Sequence, residues 1–308
     1  MRQMSRPLPV AVVQAPPLPI GASLDAFASD VHDLLFRFPG IKLAVYPELH
    51  LCGADDSSQS PTQRMDDAAE PLDGPRTQRL AELAGDLGIW LVPGSVFERG
   101  ADGLLYNTAL AFSPEGKLAA SYRKIFPWRP YELCEPGDRF VVFEMGDFGR
   151  VGLSICYDAW FPELSRHLAW LGAEVILSLV KTTTRDRVQE LVLERANAIT
   201  NQVFVVSVNC AGPVGTGHSL VVDPEGNIRV QAVGENPAVL TDVLDLDQVH
   251  HVRTWGTAGL NRPWDQFGST DRPLELPLYQ GRIDPLRWNP AVNHPSTTLT
   301  RLQAGLER

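Results

Sequence analysis

At 308 residues the chain is long enough to bury a substantial core, and an α/β fold of this length commonly forms one large domain. Its 37 acidic against 27 basic residues give a formal charge of -10, which argues against the basic stripe of a nucleic-acid binder. No stretch approaches the roughly 20 apolar residues of a membrane helix, so no membrane partner is expected.

The apolar run over 9–14 predicts a buried strand, and 24–38 carries apolar residues at helical spacing before Pro39-Gly40 stops it. A second strand over 42–46 runs into Pro47-Glu48. Residues 75–87 form an amphipathic helix with proline at its start and Gly88 after its end, followed by a strand over 89–96. Strands over 105–113 and 117–122, joined by Pro114-Glu115-Gly116, make a hairpin, so the sheet is not purely parallel. A second hairpin joins 140–144 to 150–155. Then come a helix over 162–171, a strand over 174–179, a helix over 185–201, and strands over 203–209, 219–222, 227–231 and 238–243. Helical layers enclosing mixed sheet are the natural packing of such a pattern. Prolines recur from 273 onward without periodicity, so one domain is expected over 1–271 and an extended tail over 272–308 that wraps a neighbour or stays mobile.

The segment 10–16 is too short, and with Gln14 too polar, for the apolar core of a signal peptide. Cysteines 52, 134, 156 and 210 lie far apart and form no C-x-x-C pair, which suits free thiols in a reducing compartment. A cytoplasmic, soluble protein is expected. His50 and Cys52 are close, but no second ligand cluster accompanies them, so no metal is expected.

Cys156 closes the run Leu153-Ser154-Ile155 just before Trp160 to Glu163 open a helix. At a helix N-terminus a thiol sits in a field that favours thiolate, although a free cysteine is more often a small buried hydrophobe. Its importance therefore rests on partners. Glu48 stands at the carboxyl end of an apolar strand, where open α/β sheets place ligands, and its neighbours Tyr46, Pro47, Leu49 and Leu51 predict the partial burial of a general base. Lys124, next to Ile125 and Phe126, would stabilise an oxyanion if aimed inward. Glu132, eight residues on, would hold that lysine or orient a substrate.

Tyr46-Pro47-Glu48, Tyr122-Arg123-Lys124-Ile125 and Ser154-Ile155-Cys156-Tyr157-Asp158, in this order, resemble the three signature blocks of the nitrilase (carbon-nitrogen hydrolase) superfamily. Supporting pieces are 107–109, 136–138, 161–163, 172–174, 195–196 and 217–219, and the similarity runs from about Pro9 to Val243. The resemblance implies a four-layer αββα sandwich and a Glu-Lys-Cys triad at Glu48, Lys124 and Cys156. Lys124 to Trp128, with Glu132 beyond, is similar to the aliphatic amidase and formamidase branch, which makes Glu132 the fourth residue of the site. The Cys-Tyr-Asp continuation resembles amidases more than nitrilases, which usually read Cys-Trp-Glu.

On this resemblance the chain is an amidohydrolase of linear non-peptide amides that passes through a thioester, with the Tyr157 backbone N–H completing an oxyanion hole and no cofactor. The alternatives are an N-carbamoyl hydrolase, a nitrilase, or a catalytically silent scaffold. Trp128, Tyr131, Trp160 and Phe161 are expected to line the pocket. Lys181 and Thr182, after the strand over 174–179, form either a polar rim for a carboxylate or ureido group or the capped start of the next helix. The family also implies a homodimer or higher homo-oligomer through the helices over 162–171 and 185–201. Leu164, Leu168 and Leu171 suit that interface or an internal core.

Overall fold

The computed structural model describes residues 6–53, 60–267, 270–272 and 274–281. They belong to two units, Met1–Trp264 and Asp265–Arg308. Most of the Pro-rich segment expected to form a tail lies outside the described residues.

In the first unit one sheet comprises β1 (Pro7–Gln14), β2 (Leu43–Val45), β3 (Trp90–Val92), β4 (Ser95–Arg99), β5 (Leu105–Ser113), β6 (Lys117–Arg123) and β13 (Ala238–Asp245). Its order is β13-β1-β2-β3-β5-β4, with β6 also pairing β5. The other sheet comprises β7 (Val142–Glu144), β8 (Arg150–Ile155), β9 (Val175–Val180), β10 (Phe204–Asn209), β11 (Leu220–Val222) and β12 (Ile228–Gln231), in the order β12-β11-β10-β9-β8-β7. Parallel pairs at the centre, β1-β2-β3 and β8-β9-β10, are flanked by antiparallel ones, so both sheets are mixed.

Strand alternation sorts the apolar side chains into layers. Leu8, Val10 and Val12 of β1 point into the core that also holds Leu153, Ile155, Leu177, Leu179, Val206 and Val208 of the second sheet. The intervening Ala11 and Val13 face outward, against Phe27, Val31 and Leu34 of α1 (Leu24–Arg37) and Leu80, Leu83 and Ala84 of α3 (Pro75–Leu87). On the far side, α4 (Pro162–Trp170) and α5 (Arg187–Asn201) cover the second sheet, and Leu168 packs directly over Gly152. The result is the αββα sandwich. Each apolar side chain fully buried this way contributes about 1.5–3 kcal/mol.

Gln14, at the end of β1, ties the sheets together. Its Oε1 accepts from the Ser219 backbone N–H and hydroxyl, both at 2.9 Å, and its Nε2 donates to the carbonyls of Gly234 and Asn236.

Two details depart from expectation, and a third divides residues whose placement was open. The strand over 89–96 is two strands, broken at Pro93-Gly94, where Gly94 has a φ of 98° and lies so close to the 47–50 turn that a Cβ would sit 1.9 Å from the Pro47 carbonyl oxygen. Two further helices exist, α2 (Pro61–Ala68) and α6 (Asp247–Trp255). Finally, Leu164 and Leu168 of α4 are core, whereas Leu171 is exposed.

Candidate active site

Four connections at one end of the sandwich carry the polar groups. Glu48 follows β2 and Lys124 follows β6, both of the first sheet; Cys156 follows β8 and Thr182 follows β9, both of the second. Gly94 lets the turn bearing Glu48 dock against the β3–β4 break. Gly137 does the same for Lys124: its N–H donates to the Lys124 carbonyl at 2.7 Å, and a Cβ there would lie 2.2 Å from the Arg123 carbonyl oxygen.

Lys124 is buried between two carboxylates. Its Nζ lies 3.1 Å from Glu48 Oε1 and 2.6 Å from Glu132 Oε2. Asn107 on β5 bridges the same pair, its Nδ2 donating to Glu48 Oε1 and Glu132 Oε1, each at 2.8 Å, while the Trp128 backbone N–H donates to Glu132 Oε2 at 3.0 Å. Burial by itself would drive Lys124 toward neutrality, but Glu48 and Glu132 outweigh it and hold the ammonium well above the usual lysine range. Burial likewise acts upward on Glu132, and there Lys124, Asn107 and the Trp128 amide prevail, so its carboxyl lies below the usual range. A cation fixed among acceptors is poised to meet a developing negative charge without reorganising.

Cys156 has a φ of 48°, an uncommon backbone for a non-glycine residue, which turns the chain sharply out of β8. Asp158 secures the elbow by accepting from Tyr122 Oη at 2.7 Å and from the backbone N–H groups of Ile155 and Phe126, each at 2.9 Å; burial pushes its own carboxyl up to about 6. The Cys156 sulfur lies 3.7 Å from Thr182 Oγ1 and 3.9 Å from Glu190 Oε1. Burial first, then the carboxylates of Glu48 and Glu190, push the thiol well above the usual range against the pull of Lys124. The resting group is therefore the thiol, which corrects the expectation of a thiolate at a helix N-terminus. Cys156 opens a short 3-10 turn, Cys156–Trp160, and the α-helix begins only at Pro162.

The other expected site residues divide. Tyr157 stands in the 3-10 turn next to the sulfur, with Phe161 edge-on to its ring and Trp160 6.1 Å away. Phe161 stacks on Phe126 at 3.8 Å, and Trp128 and Tyr131 pack on each other at 4.5 Å, with Tyr131 largely exposed. Lys181 Nζ donates to the Gly53 carbonyl at 2.5 Å. Thr182 does not cap α5, whose N-cap is Asp186; its hydroxyl donates instead to Glu190 Oε2 at 2.8 Å. Asn107 belongs to the resembling segments but had no assigned role. Glu190 carried no signal, because an Arg-x-x-Glu spacing on a helix reads as a surface ion pair.

A family model for carbon-nitrogen hydrolases matches residues 9–254. The chain belongs to this family. This carbon-nitrogen hydrolase is 34% identical over 231 residues to an omega-amidase, NIT2, of Pongo abelii, a match covering 70% of the chain and 80% of the relative. It superimposes on Nit3 of Saccharomyces cerevisiae, a nitrilase-superfamily structure, with a TM-score of 0.71 and 28% identity, covering 81% of this chain and 94% of that one. A mutant amidase from Nesterenkonia sp., with the acetamide moiety of fluoroacetamide covalently added at its active-site cysteine, aligns with a TM-score of 0.66 and 25% identity, covering 82% and 97%. The chain is thus a hydrolytic enzyme acting on amides, with a nitrilase-superfamily fold. Among the described residues, no helix is long and apolar enough to cross a membrane.

Proposed function

We propose that this hydrolase cleaves the C–N bond of a small, linear, non-peptide amide through a thioester on Cys156. The carrying observation is a buried, charged lysine clamped by Glu48 and Glu132 at the end of the sandwich where a protonated Cys156 sits. A thiol that rests protonated needs a base in the attack itself. Glu48 takes the Sγ proton as sulfur bonds to the amide carbon, and the carbonyl oxygen, becoming an oxyanion, is held by Lys124 Nζ and the Tyr157 backbone N–H. Collapse of that intermediate breaks the C–N bond, and Glu48 hands its proton to the departing nitrogen. A water then gives a proton to Glu48 and attacks the thioester, and as the C–S bond breaks Glu48 returns that proton to the departing sulfur, releasing the acid and restoring the thiol. Glu132 and Asn107 hold Lys124 and Glu48 in place throughout. Phe126, Phe161, Trp128 and Tyr131 supply the apolar wall.

The amide class is supported by the omega-amidase relative and by the amidase whose active-site cysteine carries the acetamide moiety of fluoroacetamide, an amide-bearing compound that reaches the sulfur. A homodimer is the assembly this reading adopts, supported by the exposed apolar stripe Val188, Val192 and Ile199 along α5 and by Trp170 and Leu171 at the end of α4. The deciding experiment assays ammonia release from parallel sets of terminal amides, N-carbamoyl acids and nitriles. Turnover of amides, lost in Cys156→Ala, supports the reading; hydrolysis confined to ureido acids or nitriles would overturn it.

A further inference from the structure

The inner face of α5 is charged where a helix packed on a sheet is normally apolar. Arg187, Glu190 and Glu194 are all buried there. Arg187 gives Nη1 to Glu190 Oε2 at 2.8 Å, Nη2 to Ser207 Oγ at 3.2 Å and to the His218 carbonyl at 3.0 Å, and Nε to the Gly217 carbonyl at 3.2 Å. With Thr182 also donating to Oε2, one oxygen of Glu190 is fully engaged and the other, Oε1, is turned to the Cys156 sulfur. Thr182 has a single hydroxyl proton, and it is committed to Glu190. The single thiol proton of Cys156 therefore has two acceptors in reach, Thr182 Oγ1 at 3.7 Å and Glu190 Oε1 at 3.9 Å, and of the two only Glu190 is a carboxylate.

We propose that Glu190, fixed by Arg187 and Thr182, is a second carboxylate acting on Cys156: a positioning residue that accepts the thiol hydrogen bond in the resting enzyme and keeps the sulfur protonated until Glu48 takes the proton. The proposal rests on Cys156 being the nucleophile. The sulfur lies in the field of Glu48 from the β2 turn, Lys124 from β6 and Glu190 from α5, together with the Lys181 backbone N–H after β9. Glu190 in turn is coupled to Arg187, Glu194 and Glu48. Lys124 is the charge that favours thiolate; Glu48 and Glu190 oppose it. Removing Glu190 removes one opponent and leaves Lys124 in place.

The test is the pH profile of iodoacetamide alkylation of the full-length enzyme, with the adduct located by peptide mapping, for wild type, Glu190→Gln, and the double variant Arg187→Met/Glu190→Leu. The double variant removes both members of the Arg187–Glu190 ion pair together, so it keeps the test available should the single one not fold. The expected result is a midpoint at least about one pH unit lower in either variant, equal to about tenfold faster alkylation below the midpoint. A purely structural role would leave the midpoint in place. An unchanged or raised midpoint with the adduct on Cys156 overturns this proposal alone. An adduct found on another cysteine overturns the nucleophile assignment and this proposal with it.

Discussion

Glu132→Gln is the most informative single change at the site. Glu132 Oε2 accepts from Lys124 Nζ and the Trp128 N–H, and Oε1 accepts from Asn107 Nδ2. A glutamine has one acceptor oxygen. If that oxygen stays on Lys124, the new amide nitrogen faces Asn107 Nδ2, donor against donor. Asn107 can relieve this by turning its Oδ1, which is buried without a partner, but then its Nδ2 leaves Glu48. Either arrangement loses one hydrogen bond and the negative charge facing Lys124. A charge-assisted bond of this kind contributes about 2 kcal/mol, so unfolding free energy should fall by about that amount. If the loss carries into the transition state, kcat/KM falls about thirtyfold. Urea unfolding at neutral pH and steady-state ammonia release measure the two. Because Lys124 holds Glu132 below the usual carboxylate range, the wild-type advantage is complete above that range and is lost as pH falls through the lowered value, so the two stabilities should converge on acidification. Equal stability at neutral pH together with kcat/KM within threefold of wild type would refute the reasoning.

Cys156→Ala should abolish amide turnover with a circular dichroism melt close to wild type; residual turnover on the preferred amide would remove the thioester. Gly137→Ala forces a methyl against the Arg123 carbonyl and should cost about 2 kcal/mol of stability and displace Lys124, seen as a joint fall in melting temperature and kcat. Burial pushes Glu194 up to about 7, above its ordinary value, so its stabilising contribution is complete below the ordinary carboxylate range and is lost as pH rises through about 7. Unfolding free energies of Glu194→Gln and wild type, from urea titrations across that window, should diverge by up to about 3 kcal/mol; parallel curves would contradict the assignment. Val188→Asp combined with Val192→Asp should yield a monomer by light scattering if α5 is the dimer face, and an unchanged mass would not fit.

The layer order was legible because alternation in the strands and 3.6-residue spacing in α1, α3 and α4 are set by which side meets the core. The helices missed, α2 and α6, are short and polar, with few buried apolar positions to announce them. The break at Pro93-Gly94 was hidden because the flanking residues are apolar and only the approach of Pro47 requires it. Glu48, Lys124 and Glu132 were readable from their motifs, and the structure brings their side chains together. The backbone turn at Cys156 and the charged inner face of α5 were not, since each depends on a partner distant in sequence: Tyr122 and Phe126 for one, Ser207 and His218 for the other.

The base and the lysine ride on one sheet, and the sulfur and its threonine on the other. Turnover is therefore a gauge of how the two halves of the sandwich are registered, and Gln14 is the peg that sets it at the working end. A slip of about 1 Å between reacting groups costs about a hundredfold in rate, far less motion than melting the core requires. Truncations deep between the sheets, at Val12 or Leu177, should therefore reduce kcat at temperatures where the chain is still fully folded.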